Sequence, residues 1–218
     1  MTLESYAADQ VRSGYVVGLG SGRAAERFVR ALGARVTAGL DAQGIPTSRA
    51  TAELARSLGI PLVALDDAPR IDLAVDGADE VDPDGRLIKG YGGALLREKI
   101  VASAADRVVI LVGAEKCVER LGACGRLPVE VLPFALAPVR RRLDQLGLPS
   151  ALRQQDGRPQ SSDNGNFLVD CQIGALSDPH ELDRALHAIP GLLETGLFLD
   201  FRPTIAIEGA DGMTVRTP

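Results

Sequence analysis

The chain is poor in the residues that build metal centres and covalent scaffolds. Its 218 residues include three cysteines, Cys117, Cys124 and Cys171, and two histidines, His180 and His187. Cysteines so few and so scattered give neither a disulfide framework nor a CxxC knuckle. Two histidines seven positions apart, remote from other ligand types, give no basis for a zinc or iron site. Lysine is almost as scarce: among 24 basic residues only Lys89, Lys99 and Lys116 are not arginine. In a chain so biased to arginine, lysine marks a place where a compact, flexible ammonium is wanted. Nothing approaches the roughly 18–20 uninterrupted apolar residues of a membrane-spanning helix. The opening MTLESYAADQ has neither the basic nor the apolar stretch of a secretory signal. A net charge of −5 argues against the basic stripe of a nucleic-acid binder. What remains, 45% apolar and 24% charged residues, is the composition of a soluble globular protein with room for one sizeable core, or a domain and a smaller companion. A cytoplasmic location is expected.

The first half alternates short apolar runs with amphipathic stretches, the pattern of α/β units on a mainly parallel sheet. Residues 15–19 (YVVGL) read as a buried strand, followed by a helix over 24–32 with Ala25, Phe28, Val29 and Leu32 on one face. A second helix is expected over 51–58, with Thr47 and Ser48 as capping candidates. Further strands are expected at 61–65, 71–75 and 108–112, with a helix over 94–105. After about residue 125 the order becomes strand, helix, strand, strand, helix, strand, with a hairpin-type turn at Asp163–Asn166. That order is a small split-βαβ, ferredoxin-like α+β domain. Residues 1–125 and 200–218 are therefore assigned to the larger domain and 126–199 to the smaller.

Three segments carry candidate chemistry. Gly18-Leu-Gly-Ser-Gly-Arg23 follows a strand and opens a helix, and free amides at a helix start favour an anion. The dinucleotide fingerprint needs a third glycine where Arg23 stands, and Asp41 lies between Gly39 and Gly44, where a turn is expected rather than a strand end. Arg23 opposes the helix dipole unless an anion is bound there; the alternative is an exposed Arg23 pairing with Glu26. The acidic run DGADEVDPDG (76–85) departs from a calcium loop, because Tyr91 occupies the twelfth position. Asp82 and Asp84 read as a polar turn, while Asp76 and Asp79 lie nearer the strand end, where α/β ligands sit. Finally KGYGGALLREK (89–99) places its lysine before the glycines, unlike a phosphate loop of the Walker type. Its Glu98, set among Ala94, Leu95, Ile100 and Val101, is either a general base or a surface residue pairing with Arg97 or Lys99.

DGADEVDPDGRLIKGYGGALLREKI resembles the signature region of the ribose-5-phosphate isomerase type A family. VVGLGSG, GIPTSRATAELARSLGIPL, VGAEKCVERLG, LPVEVLPFA and SSDNGNFLVD extend the resemblance in collinear order over nearly the whole chain. The resemblance implies a Rossmann-like domain plus a small α/β domain, commonly as a homodimer or homotetramer. It implies interconversion of D-ribose 5-phosphate and D-ribulose 5-phosphate through a cis-enediolate, in the pentose phosphate pathway, without metal or cofactor. Glu98 would move the proton, Asp76 and Asp79 would assist at the sugar oxygens, and Lys89 would steady the oxyanion. Gly20, Ser21, Gly22, Arg23, Ala24, Gly77, Ala78, Gly90, Tyr91, Gly92, Gly93 and Lys116 would complete the substrate site. The family commonly reads GTGST where this chain has GSGRA, and many members carry a lysine in a longer N-terminal helix. Arg23 is the expected substitute for the lost donors. The alternatives are an isomerase of another phosphosugar, a non-catalytic sugar-phosphate sensor and a CoA-transferase-like enzyme with Glu98 as nucleophile.

Overall fold

The computed structural model describes residues 1–217; Pro218, the end of the expected 200–218 segment, lies outside the described residues. Helix α1 (Leu3–Asp9) starts on a capping box between Thr2 and Ser5. Then come β1 (Tyr15–Leu19), α2 (Arg23–Thr37), β2 (Ala42–Pro46), α3 (Arg49–Ser57) and β3 (Leu73–Gly77). Two short strands, β4 (Glu80–Val81) and β5 (Leu87–Ile88), precede α4 (Leu95–Ser103) and β6 (Val108–Gly113). The chain continues through β7 (Arg126–Val131), α5 (Leu136–Gln145), β8 (Ser150–Leu152), β9 (Gln154–Gln155) and β10 (Arg158–Pro159). It ends with β11 (Phe167–Gln172), α6 (Pro179–His187), β12 (Leu192–Thr195), β13 (Leu197–Phe198), β14 (Thr204–Gly209) and β15 (Gly212–Arg216). Among the described residues no helix is long and apolar enough to cross a membrane.

Contacts divide the chain into two compact units. The first holds Met1–Ala78, Arg97–Lys116 and the segment from Phe201; the second holds Asp79–Leu96 and Cys117–Asp200. In the first, a six-stranded sheet runs β15-β14-β6-β3-β1-β2. Its pairs are parallel except β14 with β15. Counting only the parallel strands, the chain order across the sheet is 2-1-3-4-5, the doubly wound order whose direction reverses between the first and third strands. The helical face expected on α2 is the one buried: Ala25 is buried, and Phe28, Val29 and Leu32 pack into the core with Val17, Leu19, Leu73 and Val75. A buried Phe of this kind contributes on the order of 1.5–3 kcal/mol. The C-terminal strands return to this sheet as expected.

The second unit contains an antiparallel sheet of order β12-β7-β11-β8, which with α5 and α6 is the split-βαβ arrangement. Leu127, Val129 and Val131 of β7 meet Val139, Leu143, Val169, Cys171 and Leu186 in its core. The fold is thus α/β with a mainly parallel, Rossmann-like sheet and a smaller α+β part.

Two expectations need correction. The run 61–65 is not a strand: Leu62 makes one bridge to Gly44, and Leu65–Asp67 turns as a 3₁₀ helix. Pro61 has no N–H to extend the ladder. Residues 42–46 form β2, the edge strand paired with β1, so the turn expected over 39–44 is confined to the residues before it. The larger domain was expected to keep residues 1–125 together, yet Asp79–Leu96 and the segment from Cys117 cluster with the second unit. The reason lies in pairing: β4 and β5 join β13, not the six-stranded sheet.

Candidate active site

In the first unit the switch point between β1 and β3 is built from a glycine turn and hydroxyls. Gly22 takes φ +83° and serves as the N-cap of α2 without a side chain to bond the helix amides, so the first-turn amides stay available to an external anion. Ser21 Oγ lies 2.8 Å from Thr47 Oγ1, and Thr47 Oγ1 donates to Leu19 O at 3.0 Å. Thr51 Oγ1 donates to Gly20 O at 2.9 Å. Ser48 caps α3, accepting from Thr51 N at 3.1 Å. Arg23 is the exposed first residue of α2, and Ala24 behind it is half-buried.

Asp76 closes this turn. Its Oδ1 accepts from Ser21 N at 3.2 Å and from Gly77 N at 2.7 Å. A Cβ on Gly20 would lie 2.3 Å from the Asp76 carboxyl carbon, so only glycine fits beside it. At Gly77 a Cβ would stand 3.4 Å from Ala24 Cβ, which places the strand end against the start of α2; Ala78 follows, half-buried. The carboxyl end of β6 leads into the Ala114–Lys116 turn, bringing half-buried Lys116 to the same edge of the parallel sheet.

Glu98 stands in the first turn of α4 and is 6% exposed. One turn later Val101 lies against β1, where a Cβ on Gly18 would come within 2.4 Å of its methyl. Glu98 is thus buried, not the exposed helix residue of the surface alternative.

The second unit carries the other candidates. Asp79 Oδ2 accepts from Tyr91 N at 2.9 Å, while its own N–H donates to Ile88 O at 2.8 Å. Lys89 is 4% exposed, its N–H bonded to Gly196 O at 2.9 Å and its Nζ 5.5 Å from the Phe198 ring centroid. Gly90 and Gly93 take φ of +106° and +88°, and Gly93 N donates to Gly90 O at 3.0 Å. Gly92 is exposed. Tyr91 stacks on Arg126 at 3.8 Å and donates its hydroxyl to Arg126 O at 3.2 Å. Burial, then the neighbouring Glu80 carboxylate, push its phenol up to about 12.

The structure thus brings Gly20, Ser21, Ala24, Asp76 and Gly77 together in one unit and Asp79, Lys89 and Gly90–Gly93 in the other. Asp82 is buried and takes Arg86 Nε at 2.7 Å, as a turn residue should. Glu80, not singled out in the sequence, is fully buried and accepts from Gly122 N at 2.6 Å and Cys124 N at 2.8 Å, a structural role. Thr47 and Thr51 were missed as site residues because β2 was not recognised ahead of them; Arg126, Arg153 and Asp170 gave no local signal. Among the described residues no group of three His, Cys, Asp or Glu side chains could hold a metal ion.

Amides aimed at an anion hold a substrate but do not transform it, whereas a carboxylate withdrawn from water on the same unit can take a proton. Together on a doubly wound sheet they fit the class of α/β enzymes. The sequence profile of ribose 5-phosphate isomerase A (phosphoriboisomerase A) matches residues 43–212. Ribose-5-phosphate isomerase A of Parvibaculum lavamentivorans is 49% identical over 212 residues, covering 94% of this chain and 91% of the relative. The same-named protein of a Roseiflexus species is 48% identical, covering 95% and 91%. Among solved structures, ribose 5-phosphate isomerase A of Methanocaldococcus jannaschii superposes with a TM-score of 0.94 at 36% identity, covering 100% of this chain and 97% of the other. D-ribose-5-phosphate isomerase in complex with phospho-erythronic acid superposes with a TM-score of 0.94 at 33% identity, covering 99% and 98%. The chain belongs to the ribose 5-phosphate isomerase A family and is an isomerase.

Proposed function

We propose that this protein interconverts D-ribose 5-phosphate and D-ribulose 5-phosphate by moving a proton between C1 and C2 through a cis-enediolate, as a step of the non-oxidative pentose phosphate pathway. The observation that carries the reading is the burial of Glu98 on α4 in a chain of this family. Removing a proton beside a carbonyl leaves charge on oxygen, so a fixed cation must already be in place; Lys89, held by its backbone and buried, is that cation. Asp76, anchored by two amides, works at the sugar oxygens during ring opening, and Asp79 sets the loop that follows Lys89. The amides of Gly22–Ala24 take the phosphate, whose binding energy aligns a reacting centre several bonds away. Arg23 supplies the charge for which the shortened hydroxyl set leaves room, and Lys116 adds a second cation at the sheet edge.

The test is turnover of ribose 5-phosphate in the presence of EDTA by wild type and Glu98→Gln. Wild type is expected to work undiminished and the variant to lose about 10²–10⁴-fold in kcat, the usual contribution of a positioned base. A variant within a few-fold of wild type removes Glu98 from the mechanism. Phospho-erythronic acid, the ligand named with one relative, carries a carboxylate where the enediolate develops charge, and is expected to inhibit competitively.

We further infer a homodimer or homotetramer, supported by the exposed Phe134 beside Leu132 and Pro138, an apolar surface that isolated chains seldom leave open. Sedimentation of the purified protein reads this directly. The free thiols Cys117, Cys124 and Cys171 support a cytoplasmic location, where thiols stay reduced.

A further inference from the structure

The loop behind Lys89 hangs on an ion pair that the proton-transfer scheme leaves unused. Arg153 follows β8, and its backbone is tied on both sides: its N–H donates to Leu168 O at 2.8 Å and its carbonyl accepts from Gln160 N at 2.9 Å. The side chain is only 11% exposed. Nε and Nη2 reach the two oxygens of Asp170 at 3.0 and 2.5 Å, while Nη1 donates to the carbonyls of Gly90 at 3.2 Å and Tyr91 at 3.0 Å. Guanidinium donors are coplanar and fixed in direction. Once Asp170 on β11 has taken one edge, the remaining donors have a single aim, and two successive carbonyls of the glycine loop stand there.

Peptide planarity turns that grip into a direction for the amides. In a trans peptide the C=O and N–H point opposite ways. With the Gly90 carbonyl on Arg153, the Tyr91 N–H faces away, where Asp79 accepts it. With the Tyr91 carbonyl on Arg153, the Gly92 N–H is likewise turned away from the guanidinium, at an exposed residue where even a Cβ would meet nothing within 4 Å. Gly90 and Gly93 both take positive φ, and glycines so placed move easily to other conformations unless something outside the loop holds them.

We propose that Arg153, aimed by Asp170, is a positioning residue for the isomerisation: it sets the peptide planes of Gly90–Tyr91–Gly92, keeps the Gly92 N–H outward as a donor to a sugar oxygen, and steadies the backbone from which Lys89 extends. The proposal rests on the isomerase reading above.

Arg153→Ala, Arg153→Lys and Asp170→Asn test it. Arg153→Ala is expected to lose about 10–100-fold in kcat with KM within about threefold, because misdirected donors fail the developing charge more than the ground state. Guanidinium ion at tens of millimolar, well below denaturing concentrations, is expected to restore part of that kcat. Arg153→Lys keeps the charge but cannot span Asp170 and both carbonyls, and falls between. The Arg153→Ala, Asp170→Asn double variant is expected to cost less than the sum of the two single variants, since Arg153 is aimed by Asp170, which also lies 3.6 Å from Arg126 Nε. Hydrogen exchange in wild type and Arg153→Lys reads the loop without reference to turnover, with faster exchange expected at residues 90–93. Wild-type kcat in Arg153→Ala, or a loss of activity that only tracks the lost folded fraction with no guanidinium rescue, overturns the proposal. If wild type itself does not turn over ribose 5-phosphate, the isomerase reading fails, and unchanged loop exchange in Arg153→Lys then separately refutes the hold.

Discussion

The two glycine turns of this molecule are held by opposite means. Gly20–Gly22 in the first unit is fixed by short side chains: the hydroxyls of Thr47 and Thr51 on the carbonyls of Leu19 and Gly20, and the Asp76 carboxyl on two amides. Gly90–Gly93 in the second is fixed by charge, through Arg153 with Asp170 and through Arg126 under Tyr91. The difference follows from position. The first turn lies where parallel strands end side by side, so short hydroxyl side chains span the gaps. The second leaves the two-residue strand β5 and opens a helix, and besides Asp79 it is held by long side chains from elsewhere in its unit. A doubly wound sheet supplies an anion cradle through its own topology, whereas a loop outside such a sheet needs guanidinium struts.

Alanine at one glycine of each turn puts the largest strain on this contrast. Gly20→Ala would set a Cβ 2.3 Å from the Asp76 carboxyl carbon and Oδ1 and 2.7 Å from its Cβ. The aspartate must move, giving up its bonds to Ser21 and Gly77. The expected cost is about 1–3 kcal/mol of stability, typical of overpacking, together with most of the activity. At Gly92 an added Cβ meets nothing within 4 Å, and the melting temperature is expected to stay within about 1–2 °C, as for a surface change. Thermal melts of both variants decide it; equal losses would mean that the two turns are packed alike.

A smaller effect is expected from the arginine at the first turn. Arg23 is exposed at the head of α2, so Arg23→Ala leaves the fold intact. If it completes the phosphate cradle, KM for ribose 5-phosphate rises about tenfold, near the low end for a charge-assisted bond, while kcat changes little. The rise should shrink at high salt, where the lost attraction is already screened. A KM that does not move would show that the hydroxyl and amide set serves alone.

Much of the first unit could be read directly. The face of α2, the strand 15–19 and the glycine turn after it announce themselves within a dozen residues, because burial there follows local periodicity. β2 did not, since AQGIP carries a glycine at its centre: a Cβ on Gly44 would lie 2.5 Å from the Leu19 side chain. The neighbouring run PLVAL looked more like a strand, but side-chain character cannot tell one bridge from a ladder. β4 and β5 are two residues each and pair with β13 from far along the chain, so no window shows them, and the unit boundary moved with them. Among the candidate residues, Asp76, Lys89 and Glu98 carried their own signal as charged residues in strand-end and glycine contexts. Arg153 carried none. It is one of many arginines, and what distinguishes it is a partner on another strand and two carbonyls in a distant loop.

The finest discrimination between the turns comes from alkali. Serine and threonine hydroxyls at Gly20–Gly22 do not titrate below pH 12, but Tyr91 of the second loop does, its phenol raised from 10.0 to about 12 by burial first and by Glu80 next. A phenol that holds its proton more tightly when folded favours folding while it is protonated. That contribution is complete below pH 10 and is lost as the pH rises through about 12. Absorbance at 295 nm, taken as wild type minus Tyr91→Phe, is therefore expected to show a phenolate appearing with a midpoint near 12. Over the same interval wild type should lose more thermal stability than Tyr91→Phe, which has nothing to ionise there. A midpoint near 10 would mean that Tyr91 is open to water, and that the stacking on Arg126 and the bond to its carbonyl do not hold the charged loop as described.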